Sequence, residues 1–435
     1  MHSFARYLPR HGWDVHVLTA QRSTAPARSA DTPPALPGVT VHPMRDRLAG
    51  AGGQQFADYD PRRRPRVLAS WLRELVFPDR FVLWRRAAVR AGRVLLREWQ
   101  PDVILASFPP ASAVALAVSL LRDSPAARLV LDFRDRWLGP GGYEPRLKMN
   151  RRAHTALERR AVSQAAAVVA VSDAMADVVA EEQGFDRRHV VTIPNGYEEE
   201  PSADQEPSAL SRQPSAGTAG PLDIASRRQG QAEVGRCAAV SPQSAAPSFP
   251  LVIAHVGTVI ARNRPDLLLH SLARLRGQEC LRGVAFRFVG NLSRDYLSAA
   301  GLSPIVDSTG LVSRDEAWRE MRQAQALLLL TGAYVGRWGY NAKVFEYVRS
   351  GRPVLCLEEE TGSNDRKLLE RFAGDRVLFA RLGDADGLAE AMALLRRHLA
   401  EHPAVATALD SAFGEYGRAN LAARLAQVFE TVAQS

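Results

Sequence analysis

Residues 341–357 read NAKVFEYVRSGRPVLCL, and this stretch decides the fold. Asn341 is a residue type that begins helices, and Gly351 followed closely by Pro353 ends them. The apolar run Pro353–Leu357 then has the length and composition of a buried strand. The stretch therefore predicts a short helix that leads directly into a strand of a sheet.

Two charged residues three positions apart, Lys343 and Glu346, share one face of this predicted helix. A cation and a carboxylate at a helix N-terminus beside a strand end suit a nucleotide. Phosphates bind near the cation and the helix dipole, while ribose hydroxyls bind the carboxylate. A surface ion pair between the two side chains is the alternative interpretation of the same spacing.

The same alternation of apolar strands and helices runs through most of the chain. A first series begins with a strand at 14–19 and ends with VTIPNG at 191–196. A second series begins with LVIAHVGT at 251–258 and ends with a helix at about 415–432. Alternating strands and helices predict an α/β protein with two doubly wound domains that face a cleft. Open parallel sheets of this kind bind ligands at the carboxyl ends of their strands.

The segment 198–249 interrupts this pattern. It is rich in Ser, Ala, Pro, Gln and Gly and contains almost no aromatic or β-branched residues. Such a segment buries too little apolar area to offset its ordering entropy, so we expect a disordered linker or insertion. The expected organisation is an N-terminal domain at 1–197, this linker, a C-terminal domain at 250–414 and a last helical segment at 415–435.

One element of the predicted N-terminal sheet is missing. The first strand of a doubly wound sheet is central, yet nothing before Phe4 can form a strand. A gap between neighbouring strands would leave backbone groups unpaired at a cost of about 1–3 kcal/mol each. We therefore expect that the true start lies upstream of Met1 or that the sequence is truncated.

The net charge of +9 is unevenly distributed. Residues 1–197 hold 29 Lys/Arg and 19 Asp/Glu, so this part carries the whole excess. Much of it lies in residues 62–99, where arginines alternate with aromatic residues. This pattern suits an anionic membrane surface, at roughly 1 kcal/mol per nearby cation. A solvated helix face is the alternative, and the absence of a recognition motif argues against nucleic acid.

Cysteine usage and hydropathy point to one compartment. The three cysteines are widely spaced and form no metal-ligand cluster. Arg6 and His11 interrupt any N-terminal apolar segment, and no run of 18 apolar residues exists. We expect a cytoplasmic protein that is peripheral at the inner face of the plasma membrane.

Several segments carry a family likeness through their order and spacing. They include FARYLPRHGWDVHVLT (4–19), PDVILASFPP (101–110), LVLDFRDRW (129–137), HVGTV (255–259), TGLVSRDE (309–316) and the stretch 341–357. The chain resembles the family-four retaining glycosyltransferases of GT-B fold, especially bacterial enzymes of capsule, exopolysaccharide and lipopolysaccharide assembly. The resemblance implies an acceptor-binding N-terminal domain, a nucleotide-sugar-binding C-terminal domain and a last helix that packs back on the N-terminal domain. It also implies a nucleotide-diphosphate sugar as donor and a lipid-linked saccharide as acceptor.

The resemblance also implies a set of donor-binding residues. Gly257 matches the glycine at which the backbone approaches the diphosphate, and Glu346 matches the second glutamate of the family's E-x7-E pattern. Trp338 stands in place of the first glutamate. Arginine can replace lysine as a phosphate ligand in the loop after Gly257. The whole predicted donor set is Gly257, Thr258, Arg262, Arg264, Lys343 and Glu346.

The segment DFRDRW and a neighbouring strand end would face the acceptor. The predicted acceptor-side residues are Ser107, Asp132, Arg134 and Asp135. Asp135 would accept the proton of the acceptor hydroxyl, although an ion pair with a neighbouring arginine is the alternative. Arg264 and Lys343 complete the predicted catalytic set, because cations stabilise the departing diphosphate. We predict no cofactor and no metal, since GDADG at 383–387 has the position of a helix cap.

Two alternatives to a glycosyltransferase remain open. One is a nucleotide-sugar 2-epimerase of GT-B fold, whose acid–base residues we cannot identify in the sequence. The other is a catalytically degenerate homologue that binds lipid or a partner enzyme. The missing strand, Trp338 and Thr258 favour this second alternative slightly.

Overall fold

A computed structural model describes residues 2–21, 36–45, 58–62, 74, 76–198, 251–402 and 411–434. Apart from Glu198, the expected linker at 198–249 lies outside these ranges, as do residues 63–73 and 75 of the arginine-rich segment. None of the helices in the described ranges combines the length and apolar character needed to cross a membrane.

The N-terminal half, to residue 198, contains parallel strands and intervening helices. The strands are β1 (Val15–Gln21), β2 (Val39–Arg45), β3 (Val103–Phe108), β4 (Arg128–Phe133), β5 (Ala165–Ala170) and β6 (Val190–Thr192). The helices are α1 (His2–Tyr7), α2 (Val82–Trp99), α3 (Ala111–Leu121), α4 (Lys148–Gln164) and α5 (Asp173–Gln183). Strands β1 and β2 form one sheet, and β3, β4, β5 and β6 form another in that order. Within the described residues, β1 and β3 do not pair with each other.

The C-terminal half begins at residue 251 and has a single sheet. Its strands are β7 (Leu251–Val256), β8 (Val284–Val289), β9 (Val306–Ser308), β10 (Ala326–Thr331), β11 (Val354–Glu358) and β12 (Val377–Arg381). Its helices are α6 (Pro265–Leu275), α7 (Arg294–Ala299), α8 (Arg314–Gln323), α9 (Ala333–Trp338), α10 (Ala342–Ser350), α11 (Asn364–Phe372) and α12 (Ala385–Glu401), and helix α13 (Arg418–Ala433) ends the chain. The sheet order is β12-β11-β10-β7-β8-β9, and all pairs are parallel.

This strand order confirms the predicted doubly wound architecture. Neighbouring strands β7 and β10 are the point at which the order reverses, where such sheets bind ligands. Gly257 follows β7 directly, and Gly332 follows β10. All six residues of β10 are buried, as expected for a central strand covered by helices on both faces. The fold therefore brings the segment HVGTV and the stretch 341–357 to one edge of the sheet.

Short helices α9 and α11 in this half, like α7, were not predicted. Helix α11 has nine residues and begins after Ser363, whose side chain accepts a hydrogen bond from the backbone of Arg366. Helix α9 has six residues, and its Gly336 packs closely against neighbouring elements. Both are too short for hydrophobic periodicity to reveal, because tertiary contacts rather than propensity stabilise such helices.

The last helix, α13, packs back on the N-terminal half. Its buried Leu421, Leu425 and Phe429 share one hydrophobic cluster with Phe4 and Tyr7 near the start of the chain. Burial of this apolar face supplies the main stabilisation of a helix that is otherwise on the surface. The chain's two ends are thereby fixed to each other.

A buried carboxylate stands where this helix meets both halves of the chain. Glu198 accepts hydrogen bonds from the hydroxyl of Tyr7 at 2.7 Å, from Arg418 at 2.7 Å and from Arg6 at 3.2 Å. Burial alone would raise the pKa of Glu198, but the bonds from Arg418 and Tyr7 outweigh it and hold the pKa below its ordinary value. The Glu198 backbone also contacts Glu346 and Arg349 of α10.

We predict that Glu198→Gln destabilises the protein by about 1–3 kcal/mol, because it weakens charge-assisted bonds and leaves buried donors poorly matched. The measurement is the free energy of unfolding in urea at pH 7. Glu430→Gln, on the exposed side of α13, is the matched control and should change stability by less than about 0.5 kcal/mol.

The pH dependence gives a second check on this prediction. Since the folded-state pKa of Glu198 lies below its ordinary 4.5, its stabilisation is present above about pH 4.5 and is lost as the pH falls. The difference between wild type and Glu198→Gln should therefore shrink in acid. Equal stability of the two proteins at pH 7 would contradict this account.

Candidate functional site

The loop after β7 lies unusually close to its neighbours. Gly257 has φ of 119°, which favours glycine, and its N–H donates to the carbonyl oxygen of Val289 at 2.9 Å. A Cβ at this position would lie 2.5 Å from Cε of Lys343. A Cβ on Gly290 would lie 2.3 Å from the carbonyl oxygen of Gly257. Glycine at 257 therefore lets the Lys343 side chain lie directly across the loop.

Lys343 is a partly buried cation in the first turn of α10. Its Nζ donates to the carbonyl oxygen of Thr258 at 3.1 Å, and it forms no ion pair with any described carboxylate. Burial lowers the pKa of Lys343 to about 8, while the negative charge of Asp365 opposes this shift. The ion pair with Glu346, offered above as an alternative, does not form. A cation at a helix N-terminus that pairs with no described carboxylate is suited to bind a phosphate.

The two arginines predicted as phosphate ligands have different surroundings. Arg264 forms ion pairs with Glu359 at 2.9 Å and with Asp266 at 3.2 Å, so its guanidinium is already occupied. Arg262 is exposed, and among the described carboxylates none forms an ion pair with it. Desolvation raises the pKa of Asp135, which belongs to the N-terminal half, and the charge of Arg262 opposes this shift. Among the described residues, Arg262 rather than Arg264 therefore has a guanidinium without an ion pair. It follows β7, beside the crevice that is expected at the carboxyl ends of β7 and β10.

A second close contact holds the turn that carries these arginines. A Cβ on Gly332, directly after β10, would lie 1.9 Å from the carbonyl oxygen of Arg262. The backbones that follow β7 and β10 thus touch each other at the point where the strand order reverses. This contact leaves the Arg262 side chain at the edge of the crevice.

Glu346 lies near the junction of the two halves. Its Oε1 accepts a hydrogen bond from the backbone of Glu198 at 3.4 Å, and Arg314 and Arg349 each approach the carboxylate to 3.8 Å. Its Oε2 is buried and accepts no hydrogen bond from the described residues. Burial raises the pKa of Glu346, and the two arginines oppose this shift. One carboxylate oxygen therefore accepts no hydrogen bond within the described residues.

Three of the four predicted acceptor-side residues contact one another inside the N-terminal half. Asp132 is buried and accepts a hydrogen bond from the hydroxyl of Ser107 at 2.8 Å. Arg134 approaches the same carboxylate to 2.6 Å without good alignment, and it donates to the carbonyl oxygen of Ile193 at 2.9 Å. These contacts join the ends of neighbouring strands, and a role for the three residues in acceptor binding stays a prediction.

Asp135 differs from these three residues because its side chain is exposed. It still lies between protein surfaces, so desolvation raises its pKa, and Arg262 opposes this shift. Ion pairs with neighbouring arginines were the alternative, but Arg136 pairs with Glu182 instead. Asp135 is thus a carboxylate of raised pKa that faces the donor-side half.

Trp338 joins the two halves of the chain. Its backbone carbonyl accepts a hydrogen bond from the hydroxyl of Ser172 at 2.7 Å, and the Arg136 guanidinium lies 4.7 Å from its ring centre. Ser172 also caps α5. The residue that replaces the first glutamate of the family pattern therefore has a packing role between the halves.

No group of three or more His, Cys, Asp or Glu side chains in the described ranges could hold a metal ion. The segment GDADG does serve as a helix cap, because the Asp384 side chain accepts hydrogen bonds from the backbones of Asp386 and Gly387. The sequence patterns did not single out Asp365 or Asn263. The fold places Asp365 behind Lys343, and Asn263 lies between Arg262 and Arg264. A serine-capped turn at 363–365 was the signal for Asp365.

Comparisons with known proteins bear on the family and the fold. Residues 1–200 match the family described as Glycosyltransferase Family 4. Among solved structures, sucrose-phosphate synthase from Thermosynechococcus elongatus is similar, with 16% identity, coverage of 99% of this chain and 89% of that chain, and a TM-score of 0.54. A glycosyltransferase from Rickettsia africae has 11% identity, coverage of 96% and 98%, and a TM-score of 0.52. HepE from Anabaena, in complex with UDP-glucose, has 15% identity, coverage of 96% and 98%, and a TM-score of 0.50.

A search of curated proteins found no match to the sequence. The solved structures, at these low identities, establish the fold, and the family match covers the N-terminal half. Together they show a GT-B fold with two Rossmann-like domains, and the family match over residues 1–200 supports a glycosyltransferase.

Proposed function

We propose that the protein is a retaining glycosyltransferase that moves a sugar from a nucleotide-diphosphate donor to a lipid-linked glycan in cell-surface polysaccharide biosynthesis. One observation carries the donor assignment: the partly buried Lys343, which pairs with no described carboxylate, lies across the glycine loop at the edge of the C-terminal sheet. The similar fold of HepE, whose structure contains UDP-glucose, supports a nucleotide sugar as donor. Retention and the polysaccharide role rest on the family resemblance.

On the donor side, residues 250–414 would bind the nucleotide sugar. Lys343 and Arg262 would neutralise the charge that develops on the diphosphate as the bond to the sugar breaks. The Glu346 oxygen that accepts no hydrogen bond would take one from the ribose. Arg264 would act indirectly, because its ion pairs with Asp266 and Glu359 hold the turn on which Arg262 lies. In this proposal, side chains and backbone amides rather than a metal ion meet the charge of the diphosphate.

On the acceptor side, residues 1–197 would bind the glycan. Asp135 would accept the proton of the attacking hydroxyl, since its raised pKa favours proton uptake and it faces the donor side. Protein on both sides of the crevice would exclude water from the reacting groups. Ser107, Asp132 and Arg134 would support the strand ends on which Asp135 lies.

The outer face of α2 would hold the protein at the inner face of the plasma membrane. Arg86, Arg90, Arg93 and Arg97 recur at helical spacing and are all exposed. A cavity of about 340 Å³ between α2 and α3 is lined by these arginines in part and by Arg122. Of these four exposed arginines, Arg93 alone pairs with a described carboxylate, that of Asp123. Most of the charge of the four arginines would therefore be free to bind anionic lipid headgroups.

We predict that Lys343→Met raises the free energy of unfolding at pH 7 by about 2–3 kcal/mol, because it removes a partly buried charge whose pKa is lowered to about 8. The same change should weaken UDP and GDP binding at least about a hundredfold. Calorimetric titration and urea unfolding measure the two effects. Lys367→Met, on the exposed side of α11, is the matched control and should leave both unchanged.

The sign of the pH effect follows from the same pKa. Because Lys343 titrates near 8 when folded and near 10.5 when unfolded, wild-type stability should rise between these pH values. Nucleotide affinity should fall above about pH 8, as the free protein loses the proton that the phosphate requires. A Lys343→Met variant that binds nucleotide like wild type would contradict the donor assignment.

We predict that Asp135→Asn lowers kcat by about 10²–10⁴-fold while changing nucleotide affinity less than about threefold, because the carboxylate acts on the acceptor hydroxyl. Release of the nucleoside diphosphate in the presence of a lipid-linked acceptor is the measurement. Asp102→Asn, at an exposed position of the same half, serves as control. An unchanged kcat in Asp135→Asn would remove this residue from the mechanism.

We predict that replacing Arg86, Arg90 and Arg93 together by glutamine lowers binding to vesicles rich in phosphatidylglycerol at least about tenfold, at roughly 1 kcal/mol for each lost cation. Co-sedimentation at low salt measures this. A triple change of Arg274, Arg381 and Arg397 to glutamine, on the C-terminal half, removes the same charge elsewhere and should have little effect. Equal losses in both variants would show a general charge effect and no specific face.

A further inference from the structure

A buried carboxylate lies behind the donor-side helix. Asp365, at the start of α11, is fully buried. Its Oδ1 accepts a hydrogen bond from the backbone of Asn341 at 2.9 Å, and its Oδ2 accepts bonds from the Asn341 amide at 2.5 Å and the Thr331 hydroxyl at 2.9 Å. An uncompensated buried charge is costly, so three bonds to one carboxylate indicate a fixed geometry.

The partners of Asp365 belong to the elements that form the crevice. Thr331 ends β10, and Asn341 is the residue that precedes α10. The Asn341 side-chain oxygen accepts a hydrogen bond from the amide of Asn263 at 3.1 Å. Asn263 is itself buried and lies in the turn between Arg262 and Arg264. A continuous chain of buried hydrogen bonds therefore runs from α11, through the start of α10, to the arginine turn.

Asp365 also acts on Lys343 through its charge. Lys343 has no carboxylate in direct contact among the described residues, and Asp365 is the group whose charge favours its protonated form. Both side chains act at the start of α10. The Asp365 carboxylate holds Asn341, and the side chain of Lys343, two residues after Asn341, lies over Gly257. The Asp365 side chain therefore both holds the start of α10 and supplies the negative charge that favours protonated Lys343.

We propose that Asp365 is a positioning residue of the donor site: it fixes the start of α10 and the arginine turn relative to each other, and it keeps Lys343 charged while no ligand is bound. It touches neither the proposed donor nor the reacting atoms. Its effect on nucleotide binding rests on the proposed function, whereas its effect on Lys343 does not.

Other charged groups face Asp365 and enter its titration. Burial raises the pKa of Asp365 to about 6, the hydrogen bonds from Asn341 and Thr331 oppose this shift, and Glu358 of β11 adds to it. Glu358 is held by Ser363 and by Arg366 of the same helix as Asp365. Cys356 of β11 is buried nearby, and burial keeps its pKa well above the ordinary value, so the thiol stays neutral. The expected response near pH 6 therefore belongs to Asp365.

The sequence makes the direct measurement simple. The chain has only three lysines, Lys148, Lys343 and Lys367, so carbon-13 labelling at lysine Cε gives three signals. Lys148→Arg and Lys367→Arg assign them. In the full-length wild type without ligand, we expect the Lys343 signal to titrate near pH 8 and to show a smaller inflection near pH 6. In Asp365→Asn, we expect its main titration to move down by at least about half a pH unit and the inflection to disappear.

Thr331→Val separates charge from simple loss of a hydrogen bond. It removes one donor to Asp365 while it keeps the carboxylate and the side-chain shape, so it should lower Tm without lowering the Lys343 titration. A folded Asp365→Asn protein with an unchanged Lys343 titration would overturn the proposal. If Asp365→Asn does not fold, absence of the inflection near pH 6 in wild type would overturn it equally.

Nucleotide binding supplies the functional arm. At pH 7.5, Asp365→Asn should weaken UDP or GDP binding at least about tenfold. Because the terminal phosphate of the nucleotide also takes up a proton near pH 6, binding to both proteins should weaken in acid, but the difference between them should shrink below about pH 6. An affinity like that of wild type would overturn the positioning role. Wild-type protein that binds neither nucleotide would refute the proposed donor assignment, and the titration of Lys343 would still decide the role of Asp365.

Discussion

The close approach of Lys343 to the backbone of Gly257 is the contact on which the rest of the site depends. It requires a residue without a side chain at 257, a helix that starts beside the end of β7, and a crossover that places β10 next to β7. A partly buried ammonium whose pKa falls to about 8 destabilises the protein, because lowering a pKa by one unit costs about 1.4 kcal/mol. A ligand anion would relieve that cost, so the arrangement is understandable as part of a binding site.

Other contacts hold the two halves of the chain around this site. Glu198 connects the first and last helices to the helix that carries Glu346, and Trp338 connects α9 to the N-terminal half. The bridge between Tyr59 and Leu292 adds a third contact. These local contacts act beside the apolar face of α13, which packs on the N-terminal half. Such contacts suit domains that must bind and release a substrate between them.

Much of the fold was predictable because long periodic segments carry their own signal. Helix α2 and strand β4 are examples, since an amphipathic or apolar pattern persists over their whole length. The site was less predictable, because its partners are distant in sequence. The spacing of Lys343 and Glu346 placed both on α10, yet it did not reveal that they have different partners. Nor could it reveal that Arg264 forms an ion pair with Glu359, which is 95 residues away in the sequence.

The most direct test of the account is a crystal structure of the full-length protein with a bound nucleoside diphosphate. The account predicts that the β-phosphate displaces the Thr258 carbonyl as the partner of Lys343 Nζ, and that a ribose hydroxyl donates to Oε2 of Glu346. The Arg264 ion pairs should stay intact. A nucleotide bound elsewhere, with the Lys343 bond to Thr258 unchanged, would contradict the assignment of this crevice as the donor site.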